Sequence, residues 1–390
     1  MISSLLSSVH LLSYDEIDGS SLFTILSYAA KKEEKLNVCV VLDDAPIAAK
    51  ETLIEQLKSY CTISVFDKVR PNPQTKDIMS MVQDERFGAC DVVLGIGGGS
   101  VLDSAKAMAM LATNKGTLDQ YLGSQPSMTV QKASLPLVLI PTTAGTGSEM
   151  TKVGVYTDDT GRKYTLGSPL MHAHTAVLVA SLLDTMPPAL CAATGLDALD
   201  HALESIWNKN SNAITASCAR SAAIKILQVL PKLYDAPKEE RRALQRAMLE
   251  AASEAGIAFN LTGTASGHAI SFVLSESWHI PHGLSCAFTL LEVYDWALQD
   301  QENRNQLSLI SKHFHPELLQ EDELVQALRS DLALLLDHLN IPRIFKELSV
   351  EIDKDAIEQE FSRALNDPKL HNQKPPLDAK SLYAMLEAKR

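Results

Sequence analysis

None of the six cysteines in this 390-residue chain forms a C-x-x-C pair. Cys39, Cys61, Cys90, Cys191, Cys218 and Cys286 are scattered. They read as reduced, mostly buried thiols in a cytoplasmic protein, which excludes a disulfide frame and a zinc knuckle. Any metal is then expected to sit among histidines and carboxylates. No apolar run is long enough to span a bilayer. Basic residues are outnumbered, 35 against 48 acidic, for a net charge of −13. Basic clusters are no longer than Arg241-Arg242, which argues against nucleic acid or an anionic membrane as the main partner. There is no internal repeat, no low-complexity tract and no Ser or Cys nucleophile motif. The N-terminus, M-I-S-S-L-L-S-S-V-H-L-L, lacks the basic start and small-residue cleavage site of a signal peptide, and is expected to be an early strand or a dimer contact.

What is present is ordinary in bulk and specific in pattern. Hydrophobic residues make up 46% and charged residues 21%, as in soluble globular proteins, and the length suggests two domains. The first half alternates short apolar runs with helical periods. Strands are expected at residues 38–42, 62–66, 91–96, 135–140 and 176–179, with helices at 45–60, up to about 87, and 101–113. Pro71-Asn72-Pro73 breaks the chain, and residues 153–166 read as a hairpin about Asp158-Asp159-Thr160-Gly161. Repeated βα units imply a parallel sheet covered by helices. After Asp184 the texture becomes helical through to Arg390. The expected division is an α/β domain over 1–184 and an all-α domain over 185–390, with residues 366–380 as a surface loop.

Two strands end in loops suited to phosphate. G-I-G-G-G-S, residues 95–100, lies where a strand turns into a helix. Glycines let a phosphate approach the backbone, and the helix N-terminus supplies free N–H groups and a positive dipole end. The bland alternative is a tight turn. T-T-A-G-T-G-S-E, residues 142–149, offers hydroxyl and backbone donors after another strand. Asp43, at the end of an earlier strand, could accept from ribose hydroxyls and repel a 2′-phosphate, favouring NAD over NADP. Its alternative is to cap the next helix.

In G-L-D-A-L-D-H-A-L-E-S, residues 195–205, Asp197 and His201 are one helical turn apart. Alone they suggest an incidental hydrogen bond. His268, in S-G-H-A-I-S, and His282, in I-P-H-G, supply two further imidazoles, and Pro281 and Gly283 form a turn that aims His282. One carboxylate and three imidazoles suit Fe²⁺, and also Zn²⁺, Mn²⁺ or Co²⁺. His279 is read as lying behind the ligands, at the substrate, or simply exposed. His10, His172, His174, His313, His315, His338 and His371 are read as surface or structural.

These motifs together resemble the iron-containing (group III) alcohol dehydrogenases. The resemblance rests on G-G-G-S-V-L-D-S-A-K at 97–106, P-T-T-A-G-T-G-S-E at 141–149, M-P-P-A-L-C-A-A-T-G-L-D-A-L-D-H-A-L-E at 186–204 and I-P-H-G at 280–283, and covers nearly the whole chain. It implies a dehydroquinate synthase-like fold: an α/β N-terminal dinucleotide-binding domain, an all-α C-terminal metal domain, and an active site in the cleft between. It implies metal ligation by Asp197, His201, His268 and His282. It also implies cofactor contacts from Asp43, Asn72, Gly97, Gly98, Gly99, Ser100, Asp103, Thr142, Thr143, Thr146, Ser148 and Lys163. The expected activity is hydride transfer between a small alcohol or aldehyde and NAD(H), the metal acting as a Lewis acid. His279, or water, would pass the alcohol proton to solvent, and a homodimer or larger assembly is expected.

The chain departs from the family pattern at two places. Many members carry a histidine four residues after the third ligand, where this chain has Phe272. An expected D-P after the last strand of the first domain is absent at Val179-Ala180-Ser181. Phe272, Phe259, Trp278 and Leu274 suggest an apolar pocket wall. A lyase on the same scaffold, or a pseudoenzyme that binds nucleotide and metal without turnover, are the competing readings.

Overall fold

Short runs rich in valine, isoleucine and leucine form the strands of the computed structural model, which describes residues 9–390. In chain order these are β1 (His10–Tyr14), β2 (Asn37–Leu42), β3 (Thr62–Phe66), β4 (Val92–Gly97), β5 (Leu137–Pro141), the hairpin strands β6 (Val153–Thr157) and β7 (Lys163–Gly167), and β8 (Thr175–Val179). Helices α1 (Gly19–Ala30), α2 (Ala48–Leu57), α3 (Thr75–Val82) and α4 (Gly99–Leu111) follow the first four strands. Six strands form a parallel sheet in the order β1-β8-β5-β4-β2-β3, and β6 and β7 pair antiparallel on their own. Every residue of β4, β5 and β8 is buried. Covered on both faces, such strands read as continuous apolar runs.

The strand order places the ligand loops. From β2 the chain steps outward to β3, then returns on the other side of β2 as β4. Loops at the carboxyl ends of β2 and β4 therefore leave in opposite directions and open a crevice, where ligands of parallel sheets bind. Leu42 is registered with Ile96 and Gly97 with Pro141, so Asp43, the glycine loop and the threonine loop leave three adjacent strands at one level.

The chain divides into two compact units, Met1–Met186 with Pro237–Ser253, and Pro187–Ala236 with Glu254–Arg390. The first break falls between Met186 and Pro187. The return of residues 237–253 to the first unit differs from the expected single boundary. It is tied by tertiary contacts that helical periodicity does not encode: Arg242 donates to Glu16 and Asp184, and Ser253 to Glu149.

The second unit is helical, beginning with α5 (Pro188–Ile206), α6 (Ala213–Asp235), α7 (Arg241–Thr262, whose first half groups with the first unit), α8 (Ser266–Trp278) and α9 (His282–Ala287). By length and composition α6 is apolar enough to cross a membrane, contrary to the reading that no run was. Its buried face, including Ala219, Ala223, Ile226 and Leu230, packs on α5, where a Cβ on Gly195 would lie 2.4 Å from Leu230. Residues 366–380 are also more than a surface loop. Leu370, Gln373 and Leu377 are buried there, and Gln373 Oε1 accepts from Ser266 Oγ at 2.7 Å.

Candidate metal centre and nucleotide loops

Asp197, Asp200, His201 and Glu204 form one stripe along α5, and all four are buried. A stripe of ionisable groups at this spacing is normally a solvated helix face. Here α8 covers it. The approach needs Gly267, because a Cβ there would lie 2.9 Å from Asp200 Oδ2 and 3.0 Å from Glu204 Oε1. Glu204 accepts hydrogen bonds from Ala265 N at 2.5 Å and His268 N at 3.2 Å, so a side chain of α5 caps the start of α8. From the other direction, Gly283 brings α9 against the backbone of α5 at Ala193, where there is no room for a Cβ.

These three contacts converge the imidazoles on one carboxylate oxygen. Asp197 Oδ1 lies 3.5 Å from His268 Nε2, 3.6 Å from His282 Nε2 and 3.8 Å from His201 Nδ1. Among the described residues neither Asp197 Oδ1 nor His268 Nε2 has a hydrogen-bond partner, although both are buried. Leaving such atoms unsatisfied costs about 1–3 kcal/mol each, and a cation between them removes that penalty. The donor set therefore fits a divalent first-row metal. Burial pushes the Asp197 carboxyl up, but the facing histidines, His201 foremost, outweigh it and hold the group well below the usual carboxylate range.

His268 is oriented from behind. Its Nδ1 hydrogen-bonds Glu204 Oε2 at 2.9 Å and lies 3.2 Å from Asp200 Oδ2. That fixes the proton on Nδ1 and leaves the Nε2 lone pair facing the cluster. Burial and then the charge of Glu204 push Asp200 up to about 7. Burial would also raise Glu204, but the neighbouring His268 outweighs it and lowers the group. Asp200 and Glu204 were not singled out from the sequence, although both stand in the quoted motif; their spacing of three and seven residues from Asp197 was the available signal. Glu204→Gln is expected to weaken metal binding roughly 10–100-fold, as losses of such supporting partners do, measured by competition with a chelator. Affinity unchanged in that variant would remove Glu204 from this role.

The predicted residues do not all meet in the same way. His201 stands beside the cluster with its ring stacked on Phe259 at 4.1 Å and 15°, and 4.4 Å from that of His268. Asp197, His268, His282 and Cys286 each bring one ligand atom within 4.8 Å of the others. The thiol was not foreseen, because the sequence reading confined metal to histidines and carboxylates. Phe272 lies 6.2 Å from the His282 ring, and Lys369 Nζ stands 3.9 Å over its face. His279 is exposed and ends α8 in the left-handed region at φ 55°. It is not part of the cluster.

In the first unit, no side chain caps α4 at Gly98, so the helix start presents open backbone donors after β4. The two loops pack together: Thr142 N donates to Gly97 O at 3.0 Å, and a Cβ on Gly99 would lie 2.7 Å from Thr146 Cγ2. Gly98, Gly99, Ser100, Thr143 and Thr146 remain partly exposed, whereas Gly97, Thr142 and Ser148 are buried. Ser148 Oγ donates to Asp103 Oδ1 at 2.7 Å and accepts from the buried Lys106 ammonium at 2.7 Å. Val155 N donates to Asp103 Oδ2 at 2.9 Å, so Asp103 and Ser148 tie α4, the threonine loop and the hairpin together. Asn72, in the left-handed region at φ 57°, precedes Pro73, whose carbonyl accepts from Thr157 N at 2.9 Å. Thr157 is registered with Lys163, which places the Asn72 segment beside the start of β7. Asp43 Oδ1 accepts from Ala45 N at 3.3 Å and from Lys50 Nζ at 2.8 Å; it does not cap α2, whose N-cap is Ile47 with no side-chain cap.

The profile of the iron-containing alcohol dehydrogenases matches residues 19–180, and the C-terminal profile of the same family matches residues 191–389. The chain is 35% identical to alcohol dehydrogenase 4 of Saccharomyces cerevisiae over 75% of its own length and 74% of that protein. It is 30% identical to the 1-propanol dehydrogenase PduQ of Citrobacter freundii over 87% and 90%. Among solved structures, the sulfoacetaldehyde reductase of Bifidobacterium kashiwanohense in complex with NAD⁺ superposes with a TM-score of 0.85 at 26% identity, covering 100% of this chain and 99% of the other.

Proposed function

Because the chain belongs to the iron-containing alcohol dehydrogenase family, we propose that it is a metal-dependent oxidoreductase that interconverts small alcohols and aldehydes with NAD(H). Fe²⁺ is the first candidate for the metal, with Zn²⁺ or another divalent ion the alternative. The observation that carries the reading is the approach of three imidazole nitrogens, at 3.5, 3.6 and 3.8 Å, to a buried Asp197 oxygen that has no hydrogen-bond partner. A bound divalent ion supplies Lewis acidity toward the substrate oxygen, and the nicotinamide supplies or takes the hydride.

The remaining work falls to this chain. Asp197, His201, His268 and His282 would hold the ion, and Glu204 keeps the His268 proton on Nδ1. Phe259 and Phe272 line the imidazoles with apolar surface that excludes water. The open start of α4, with Thr143 and Thr146 beside it, binds the cofactor pyrophosphate. Asn72 and Lys163 are assigned to the cofactor on the same reading, with Asp103 and Ser148 setting the loop that grips it. The relatives named above are all oxidoreductases, so no observation favours the lyase or the pseudoenzyme. The direct test is an aldehyde panel with NADH on protein reconstituted anaerobically with Fe²⁺. Turnover is expected. No turnover with Fe²⁺, Zn²⁺ or Mn²⁺ and either cofactor would overturn the reading.

NAD is proposed as the preferred cofactor, with NADP the alternative, and Asp43 as the discriminating group. Its carboxylate is paired with Lys50, itself buried. Asp43→Gly removes the repulsion of a 2′-phosphate and releases the Lys50 ammonium toward it. A hydrogen bond to a charged group contributes about 1.5–3 kcal/mol, so the NADP-to-NAD ratio of kcat/KM is expected to rise roughly 10–100-fold. An unchanged ratio would take Asp43 out of this role.

The same reading places the protein in the cytoplasm as a homodimer or larger assembly. The six cysteines are free thiols, and among the described residues β1 is an edge strand of the sheet, the kind of edge that pairs with a second copy. Light scattering tests the assembly.

A further inference from the structure

We propose that Cys286 is a sulfur ligand of the metal centre, which adds a thiolate to the donors Asp197, His201, His268 and His282 and shifts the site toward Zn²⁺. The inference rests on the metal-centre reading above and goes beyond it, because no histidine-and-carboxylate set contains a thiol. Cys286 lies one turn after His282 on α9, fully buried, with Sγ 3.7 Å from His282 Nε2. Two oxygen or nitrogen donors on one tetrahedral zinc are about 3.4 Å apart, and a nitrogen and a sulfur donor about 3.6 Å apart. Asp197 Oδ1 stands 3.5 and 3.6 Å from His268 Nε2 and His282 Nε2, so these oxygen–nitrogen pairs and the sulfur–nitrogen pair with His282 stand at spacings of this kind. The independent sign of a ligand is that Asp197 Oδ1 and His268 Nε2 are buried, unpartnered and within 4.8 Å of the sulfur.

Thiolate is a softer donor than imidazole or carboxylate and shifts preference from Fe²⁺ toward Zn²⁺ or Co²⁺. As the metal–sulfur bond forms, the thiol S–H bond breaks and its proton leaves to solvent, with no change of oxidation state. His201, stacked on Phe259 and next to His268, then enters as a further ligand for an ion of higher coordination number.

The test is cobalt substitution. The full chain is stripped with a chelator under anaerobic conditions and refilled with Co²⁺, and its absorption is compared with that of Cys286→Ser, Cys286→Ala and the control Cys61→Ser. The parent chain and Cys61→Ser are expected to show an intense near-ultraviolet thiolate-to-cobalt band. Both Cys286 variants are expected to lose it while keeping the weaker visible bands of bound Co²⁺. Visible bands without the near-ultraviolet band in the parent chain, or its survival in the Cys286 variants, would overturn the proposal and leave the metal centre standing; Cys286 would then be a thiol hydrogen-bonded to His282. Absence of even the visible bands in the parent chain would overturn the metal centre itself. In Fe²⁺/Zn²⁺ competition, Cys286→Ser is expected to shift occupancy toward Fe²⁺, and an unshifted ratio would count against sulfur ligation.

Discussion

Asp197→Asn is expected to abolish metal retention and, with it, turnover. The carboxylate oxygen is the common neighbour of three imidazole nitrogens. It is also the only one of the four predicted ligands that brings negative charge to a dication. Removing one member of a buried charge pair costs about 3–5 kcal/mol, which corresponds to two to four orders of magnitude in affinity. The amide has nearly the same shape, so packing is conserved and the loss is electrostatic. Metal content after dialysis against a chelator, with circular dichroism to confirm the fold, is the measurement. A full site in Asp197→Asn would show that the ion, if any, lies elsewhere.

The second large effect comes from a residue with no side chain. Gly283→Ala is expected to destabilise the protein and displace His282. A Cβ at this position would lie 2.0 Å from Ala193 O, 2.6 Å from Ala193 C and 3.2 Å from Ala193 Cα. All three atoms are backbone of α5, so no rotamer can relieve the overlap, and α9 must move away. Overpacking of this sort costs roughly 1–3 kcal/mol, sometimes more. Because His282 is the adjacent residue, the same movement opens the cluster. Thermal unfolding and metal titration should therefore fall together. A variant with unchanged melting and full metal content would contradict the close approach of α5 and α9.

Much of this was legible in the chain. Each buried parallel strand announced itself as an apolar run, and the glycine and threonine loops stood where such runs ended. Asp197 and His201 could be paired by helical spacing alone, and His282 by the proline and glycine around it. Other parts could not be read, for physical reasons. Asp200 and Glu204 look like the polar face of a helix until α8 is seen to cover them. A cysteine in an apolar helix reads as a small hydrophobic residue, so Cys286 stood apart from the ligands until α9 brought it next to them. Residues 366–380 are polar enough to suggest a solvated loop; Gln373 is buried only because Ser266 and neighbouring backbone satisfy its amide. Arg242 and Ser253 reach partners more than a hundred residues away in sequence, beyond the range of any periodicity.

The capping of α8 by Glu204 has a kinetic meaning. Its two backbone bonds, to Ala265 and His268, hold the first turn of the helix in place by protein groups alone. The cage is thus preorganised, and an incoming ion need not purchase the ordering of its own ligands. Loss and replacement of the ion become a local exchange between fixed donors and solvent rather than an unfolding event. Which metal occupies the centre would then follow the supply of free ions around the protein, weighted by the preference of the donor set, and the same chain could be emptied and recharged without refolding.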